Sequence, residues 1–129
     1  MDSVDLVVDT NILIDLFKAA PQALNWAKQH QGVRIGIPLP VWFEVVVGAR
    51  DKVEQDKLCK DLEAYKLIYI DAQGQEQAQD WFQAYKLSHG VDAFDCLIAA
   101  TAVRVGKPLC TLNDKHFSII PSLQIHRPY

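Results

Sequence analysis

The sequence lacks the features that mark a membrane protein or a cysteine-stabilised one. Along its 129 residues no apolar run approaches the roughly 20 residues that a helix needs to span a bilayer. The three cysteines form no Cys-x-x-Cys pair and are odd in number, which excludes the usual zinc site and a complete disulfide framework. We therefore expect no membrane partner, and a cytoplasmic protein in which Cys59, Cys96 and Cys110 are buried, reduced thiols.

The chain also has no excess of positive charge. Its 13 lysines and arginines are outnumbered by 16 acidic residues, which gives a net charge of -3. Proteins that coat nucleic acid are usually basic, so this balance argues against that class but allows an enzyme that meets RNA through a bound metal and a local basic patch. Candidate contacts to an RNA backbone, each of which would ordinarily be a solvated charge, are Arg34, Arg50, Lys52, Arg104, Lys107 and Lys115.

Short apolar strand patterns alternate with helical patterns throughout the chain. Half of the residues are hydrophobic and the length suits one domain, which we place at residues 1–129. Strands are predicted at residues 6–8, 34–37, 67–70, 109–110 and 123–125, and helices from residue 10 and at 21–29, 41–49, 51–64, 73–88 and 93–105. This alternation predicts an α/β fold, a three-layer α/β/α sandwich with a mostly parallel central sheet.

Acidic residues collect where such a sheet places functional groups, beyond the carboxyl ends of its strands. Asp9 directly follows the first predicted strand. Glu44 and Asp95 lie near the starts of predicted helices that could face the same crevice. We take these three acids as the candidate catalytic and metal-binding residues.

Each of these acids also has an ordinary structural explanation. An aspartate after a strand often caps the next helix, and for Asp9 alone capping is as good an interpretation as catalysis. Glu44 lies in an apolar segment, where a buried carboxylate needs a partner. Asp92 and Asp95 share one face of a helical turn, with Asp92 the expected cap and Asp95 the ligand. The remaining candidates have ordinary roles. We expect caps or surface positions for Asp15, Asp51 and Asp71. We expect surface or hydrogen-bonded positions for His30, His89, His116 and His126, although His116 could lie near the site.

The clustered carboxylates indicate a particular chemistry. Like charges in a partly buried crevice repel one another, and a bound divalent cation removes that cost. Oxygen ligands suit Mg²⁺ or Mn²⁺. A cation held by two or three carboxylates keeps positions open for water and for a phosphate oxygen, so the expected reaction is hydrolysis of a phosphodiester by metal-activated water.

Ordered segments of the sequence resemble those of PIN-domain proteins. Residues 8–14, VDTNILI, match an opening strand that ends in Asp-Thr-Asn. Glu44, which follows Pro40, is similar to the second acid of the family, and Asp95 within residues 94–102, FDCLIAATA, to the third. Residues 109–117, LCTLNDKHF, resemble the closing Thr-x-Asn segment. Since the resemblance covers the whole chain without another domain, it points to the VapC-like toxins of type II toxin–antitoxin pairs.

The resemblance implies a PIN α/β/α sandwich and an endoribonuclease that depends on Mg²⁺ or Mn²⁺. It also implies a homodimer, or a hetero-oligomer with a VapB-like antitoxin that lays a helical tail into a groove and sends a basic side chain to the acidic site. Apolar contacts for that tail would be Trp42, Phe43 and Val46, which fit a plain core equally well. The sequence departs from the family pattern at one position: Asn113 stands where many relatives carry a fourth aspartate. Asp114 follows directly, and either residue could complete the site.

Other functions compete with this one. A catalytically silent PIN-like module that binds RNA or protein is disfavoured by the intact set of three acids. A phosphatase with Asp9 as its nucleophile would need a second aspartate two residues later, where Asn11 stands. A nuclease that cleaves DNA, and an RNA-processing enzyme without an antitoxin, also fit the motifs.

Overall fold

A parallel five-stranded sheet carries the fold in a computed structural model that describes residues 3–129; the first two residues of the predicted domain lie outside the described part. The strands are β1 (Leu6–Val8), β2 (Ile35–Pro38), β3 (Lys66–Ile68), β4 (Leu109–Cys110) and β5 (Ile125–His126). The helices are α1 (Thr10–Phe17), α2 (Pro21–Gln29), α3 (Leu39–Val46), α4 (Lys52–Leu62), α5 (Ala72–His89), α6 (Ala93–Val105) and α7 (Asp114–Phe117).

The order of the strands determines where the crevice opens. They lie in the order β3-β2-β1-β4-β5, and every neighbouring pair is parallel. The chain places β2 and β3 on one side of β1, then crosses to the other side for β4 and β5. The order therefore reverses between β1 and β4, and in open α/β sheets ligands bind beyond the carboxyl ends of the strands at this point. The predicted α/β architecture with a parallel sheet is confirmed.

The centre of the core lies in β1 and α6. Val7 and Val8 are fully buried, as expected of a strand covered on both faces. In α6 the buried face includes Ile98 and a run of alanines whose small side chains allow close packing. This helix begins and ends at the predicted residues because Asp92 caps its first turn and Gly106 adopts a left-handed φ of 71° at its end.

Several elements differ from the prediction. Helix α3 begins at Leu39 and ends at Val46, where residues 41–49 were expected, because Pro40 lies inside its first turn, where the fixed φ of proline is compatible with a helix. Helix α7 was not predicted, since its four residues are too few to show a periodicity. Strand β5 consists of Ile125 and His126 and so begins later than expected.

The cysteines are free thiols, as expected, but they are not all buried. Cys96 and Cys110 lie in the core, where burial raises the pKa of each thiol to about 11 and keeps it neutral. Cys59 is only half-buried because it lies on α4, a helix rich in charge and mostly exposed. Among residues 3–129 no helix has the length and apolarity required to cross a membrane.

Candidate active site

The predicted acids meet in a crevice of about 450 Å³ beyond the carboxyl ends of β1 and β4. Its lining consists of Asp9, Thr10, Asn11, Ile14, Glu44, Asp92, Asp95, Asn113 and His116. All three candidate acids are therefore brought together, although they lie on different elements of the chain. Asp114 does not line the crevice.

Asp9 is the most buried acid of the crevice, with only 5% of its surface exposed. Its Oδ1 accepts a hydrogen bond of 2.8 Å from the Thr10 amide, and its Oδ2 accepts one of 2.7 Å from the Thr111 hydroxyl. Burial raises the pKa of Asp9, and these two hydrogen bonds offset part of that rise. Asp9 is also the N-cap residue of α1, so the capping interpretation and the crevice position are both correct.

Thr111 connects the ends of the two central strands. Its hydroxyl donates to Asp9 and accepts a hydrogen bond of 2.9 Å from the Asn113 amide. Thr111 is fully buried, and its hydrogen bond to Asp9 is shielded from water. Thr111 was not among the predicted site residues, and its place in the closing Thr-x-Asn segment is the signal that could have identified it.

Glu44 reaches the crevice from α3 and is half-buried. Its Oε1 accepts a hydrogen bond of 2.8 Å from the Thr10 hydroxyl, which supplies the partner that its apolar surroundings led us to expect. Thr10 thus contacts two carboxylates, one through its backbone amide and one through its side chain. The pKa of Glu44 is raised, mainly by burial and further by the negative charges of Asp9, Asp92 and Asp95.

Asp95 lies in the first turn of α6 and forms a close pair with His116. The His116 Nε2 lies 2.6 Å from Asp95 Oδ2. Burial raises the pKa of Asp95, and the hydrogen bond with His116 opposes the rise. Asp92 is the cap of α6, as predicted: its Oδ1 accepts a 2.7 Å hydrogen bond from the Asp95 amide. His116, the one histidine that we expected could lie near the site, lines the crevice, because the unpredicted helix α7 carries it there.

The two candidates for the fourth position point in different directions. Asn113 lines the crevice beside the three acids. The carboxylate of Asp114 instead accepts a hydrogen bond of 2.8 Å from Arg127, which lowers the pKa of Asp114. By placement, Asn113 is therefore the better candidate to complete the site, and its role in catalysis stays a prediction.

The crevice offers the donors that Mg²⁺ or Mn²⁺ prefers. Asp9, Glu44 and Asp95 supply carboxylate oxygens whose negative charge is disfavoured by burial, a cost that a divalent cation would remove. Within residues 3–129, no three acidic, histidine or cysteine side chains lie together in an arrangement that could by itself hold a metal ion.

The raised pKa of Asp9 has a consequence for stability. Because the folded pKa exceeds the unfolded one, the folded protein binds more protons, and stability is lost as pH rises through the folded pKa. In a chelating buffer, the free energy of unfolding of Asp9→Asn minus that of the wild type should therefore increase from pH 4 to pH 7. Urea unfolding at a series of pH values measures this difference. Two parallel curves would contradict the expectation. Asp114, with its lowered pKa, is common to both proteins and cancels, whereas Glu44, whose pKa the charge of Asp9 raises, adds to the difference with the same sign.

Comparison with known proteins agrees with the geometry. The family model for the PIN domain matches residues 6–123. The chain is 31% identical over 121 residues to Ribonuclease VapC19 of Mycobacterium tuberculosis, covering 92% of this chain and 96% of that protein. It is 29% identical over 125 residues to Ribonuclease VapC of Rickettsia bellii, covering 93% of each.

Solved structures show the same fold. A toxin–antitoxin complex from Klebsiella pneumoniae contains a chain with a TM-score of 0.79 and 32% sequence identity, matched over 97% of this chain and 98% of that one. A chain of VapBC2 from Rickettsia felis, crystallised with a DNA fragment from its promoter, has a TM-score of 0.77 at 24% identity, covering 95% of this chain and 98% of that one. At that identity the second likeness supports the fold alone.

Proposed function

Because this chain belongs to the PIN domain family, with VapC ribonucleases among its relatives, we propose that it is a metal-dependent endoribonuclease and the toxin of a toxin–antitoxin pair. The observation that carries the proposal is the meeting of Asp9, Glu44 and Asp95 in one crevice at the reversal of strand order. Relatives named as ribonucleases support the reaction class, and the oxygen donors of the crevice support the metal. We place this activity in the cytoplasm.

The residues of the crevice divide into ligands and residues that position them. Asp9, Asp95 and Glu44 would hold Mg²⁺ or Mn²⁺. When bound, such a cation supplies a water of lowered pKa and offsets negative charge at the phosphate. Thr111 and Thr10 fix the orientation of the Asp9 and Glu44 carboxylates through their hydroxyl groups. The same hydrogen bonds leave each carboxylate one oxygen that is not held by a side-chain hydroxyl.

Single-stranded or looped RNA is the substrate form that suits this crevice. Its backbone can bend and place a phosphate against the acids, whereas base pairing holds the backbone of a duplex in a regular helix. An acidic crevice repels a phosphate unless a cation lies between them. The proposed metal therefore serves binding as well as hydrolysis.

A cleavage assay with and without metal tests the proposal. Purified protein, freed of any bound partner, should cut single-stranded RNA in Mg²⁺ or Mn²⁺, lose the activity in excess EDTA and regain it when the metal is restored. A DNA strand of the same sequence in the same tube provides the comparison. Absence of RNA cleavage with either metal would reject the enzyme in favour of a silent binding module, and equal cleavage of the DNA would reject the specificity for RNA.

A groove beside the crevice suits the proposed antitoxin. It has a volume of about 390 Å³ and lies between α1, α3 and α4, with Glu44 common to groove and crevice. Its lining is Ile14, Phe17, Lys18, Glu44, Val45, Gly48, Arg50, Glu54, Lys57 and Leu58. An apolar segment could bury against Ile14, Phe17 and Leu58 while a basic side chain reaches Glu44. The toxin–antitoxin complex at 32% identity supports such a partner, and a homodimer stays a prediction.

The side chains that we expected to contact this tail do not line the groove. Trp42 and Val46 are half-buried and pack against the core, as the alternative interpretation held. Phe43 is 49% exposed and lies edge-on to Trp42. The groove is lined instead by Val45 of α3 and by Gly48, which lies just beyond the end of α3, together with residues of α4.

A further inference from the structure

We propose, on the basis of the ribonuclease function above, that the cavity beside the crevice binds a backbone phosphate of the RNA strand next to the one that is cleaved. This cavity has a volume of about 490 Å³ and is lined by His89, Lys115, His116, Ser118 and Ile119. We call it the basic cavity. It contains no acidic side chain, in contrast to the crevice beside it.

The basic cavity and the acidic crevice share one wall. His116 lines both, and its Nε2 lies 2.6 Å from Asp95 on the crevice side. The ring also packs edge-on against Phe117, with the ring centroids 6.0 Å apart. An RNA strand with one phosphate at the acids can therefore extend past the His116 ring and place a neighbouring phosphate in the basic cavity.

Lys115 provides the positive charge of this cavity. It differs from most of the other predicted RNA contacts, which form ion pairs with acidic side chains. Most of the predicted RNA contacts are neutralised: the ion pairs are Arg34–Asp5, Arg50–Glu54, Lys52–Asp56 and Arg104–Asp71. The hydrogen bonds and charge of Arg34, and to a smaller extent the positive charge of Lys107, lower the pKa of Asp5. In the described part of the chain, no carboxylate forms an ion pair with Lys115. Its ammonium group is thus available to a ligand at the edge of the site.

His89 adds a second nitrogen donor to the lining of this cavity. It is the last residue of α5, and its Nδ1 lies 2.7 Å from the Ser88 hydroxyl. The ring lies edge-on to Tyr85 at 6.0 Å. No hydrogen bond within residues 3–129 takes the Nε2 of His89, so this atom remains for a phosphate oxygen. An ammonium and an imidazole that line one cavity are suitable partners for a phosphodiester.

The net charge of the chain strengthens the inference. An overall charge of -3 and an acidic crevice both repel RNA at a distance. Attraction therefore has to be local, and the basic cavity supplies it beside the acids. Since a backbone phosphate is common to all sequences, we expect the cavity to contribute affinity without sequence preference.

RNA binding to Lys115→Gln tests the proposal. The measurement uses a single-stranded RNA, fluorescence anisotropy and the Asp9→Asn background, so that no cleavage occurs. Loss of one phosphate contact should weaken binding about three- to tenfold and reduce the slope of log K against log salt by about 0.7. His89→Gln should weaken binding in the same direction, and Lys115→Arg, which keeps the charge, should bind within about twofold of the parent.

Lys28→Gln is the matched control. Lys28 is exposed in the last turn of α2 and lines none of the cavities described above. If Lys115→Gln and Lys28→Gln bind RNA with the same affinity while the wild-type protein cleaves RNA, the phosphate site in the basic cavity is rejected and the proposed ribonuclease function is retained. If the wild type cleaves no RNA, the proposed function itself fails. A Lys115→Gln variant that binds RNA normally but loses affinity for the antitoxin would assign the cavity to the protein partner and overturn the proposal.

Discussion

Asp9→Asn is expected to reduce RNA cleavage by on the order of 10³ while the chain remains folded. The amide has the shape of the carboxylate but no negative charge, so it is a poor ligand for Mg²⁺. Its oxygen can still accept the hydrogen bond from the Thr10 amide, which retains the start of α1. Single-turnover cleavage of a labelled single-stranded RNA in saturating Mg²⁺ measures the effect.

Asp51→Asn makes the same chemical change away from the crevice. Asp51 caps α4 by accepting a hydrogen bond of 2.8 Å from the Glu54 amide, and asparagine caps helices about as well as aspartate. This variant should cleave RNA at nearly the wild-type rate. Equal activity of Asp9→Asn and the wild type would remove Asp9 from the reaction and return it to its role as a helix cap.

Phe117→Ala is expected to lower the free energy of unfolding by about 3–5 kcal/mol and to reduce cleavage as well. Phe117 is only 1% exposed and is among the largest fully buried side chains. Helix α7 has four residues, too few to be stable without packing, so the phenyl ring anchors the segment that carries Asn113 and His116. Urea unfolding measures the first effect, and cleavage at a temperature where the variant stays folded measures the second.

Phe43→Ala provides the comparison for this substitution. Phe43 is 49% exposed, so the same truncation there should cost less than about 1 kcal/mol. Similar losses of stability in both variants would show that Phe117 is not an anchor. A folded Phe117→Ala protein that cleaves RNA at the wild-type rate would show that the position of α7 does not matter to the site.

Features that depend on neighbouring residues were predicted well from the sequence. Helix α6 was placed correctly because its cap, Asp92, and its terminating Gly106 both lie next to it. Strand β1 was placed correctly because an apolar run followed by Asp9 is a local pattern. The parallel sheet followed from the alternation of such elements, which needs no knowledge of distant contacts.

Features that depend on distant contacts could not be predicted. The hydrogen bond from Thr111 to Asp9 joins residues 102 positions apart. The choice between Asn113 and Asp114 depends on Arg127, whose guanidinium holds Asp114 outside the crevice. His116 approaches Asp95 across 21 residues on a helix too short to show a pattern. In each case the position of the side chain depends on a hydrogen-bond partner that lies elsewhere in the sequence.

The reversal of strand order between β1 and β4 also bears on when this protein can act during its own synthesis. Asp9 leaves the ribosome early, but the strand that pairs beside it and the hydroxyl that binds it come from residues 109–111. A nascent chain that ends before β4 has neither, and contacts so far apart in sequence form late in folding. The acidic crevice is therefore complete only when nearly the whole chain has been translated.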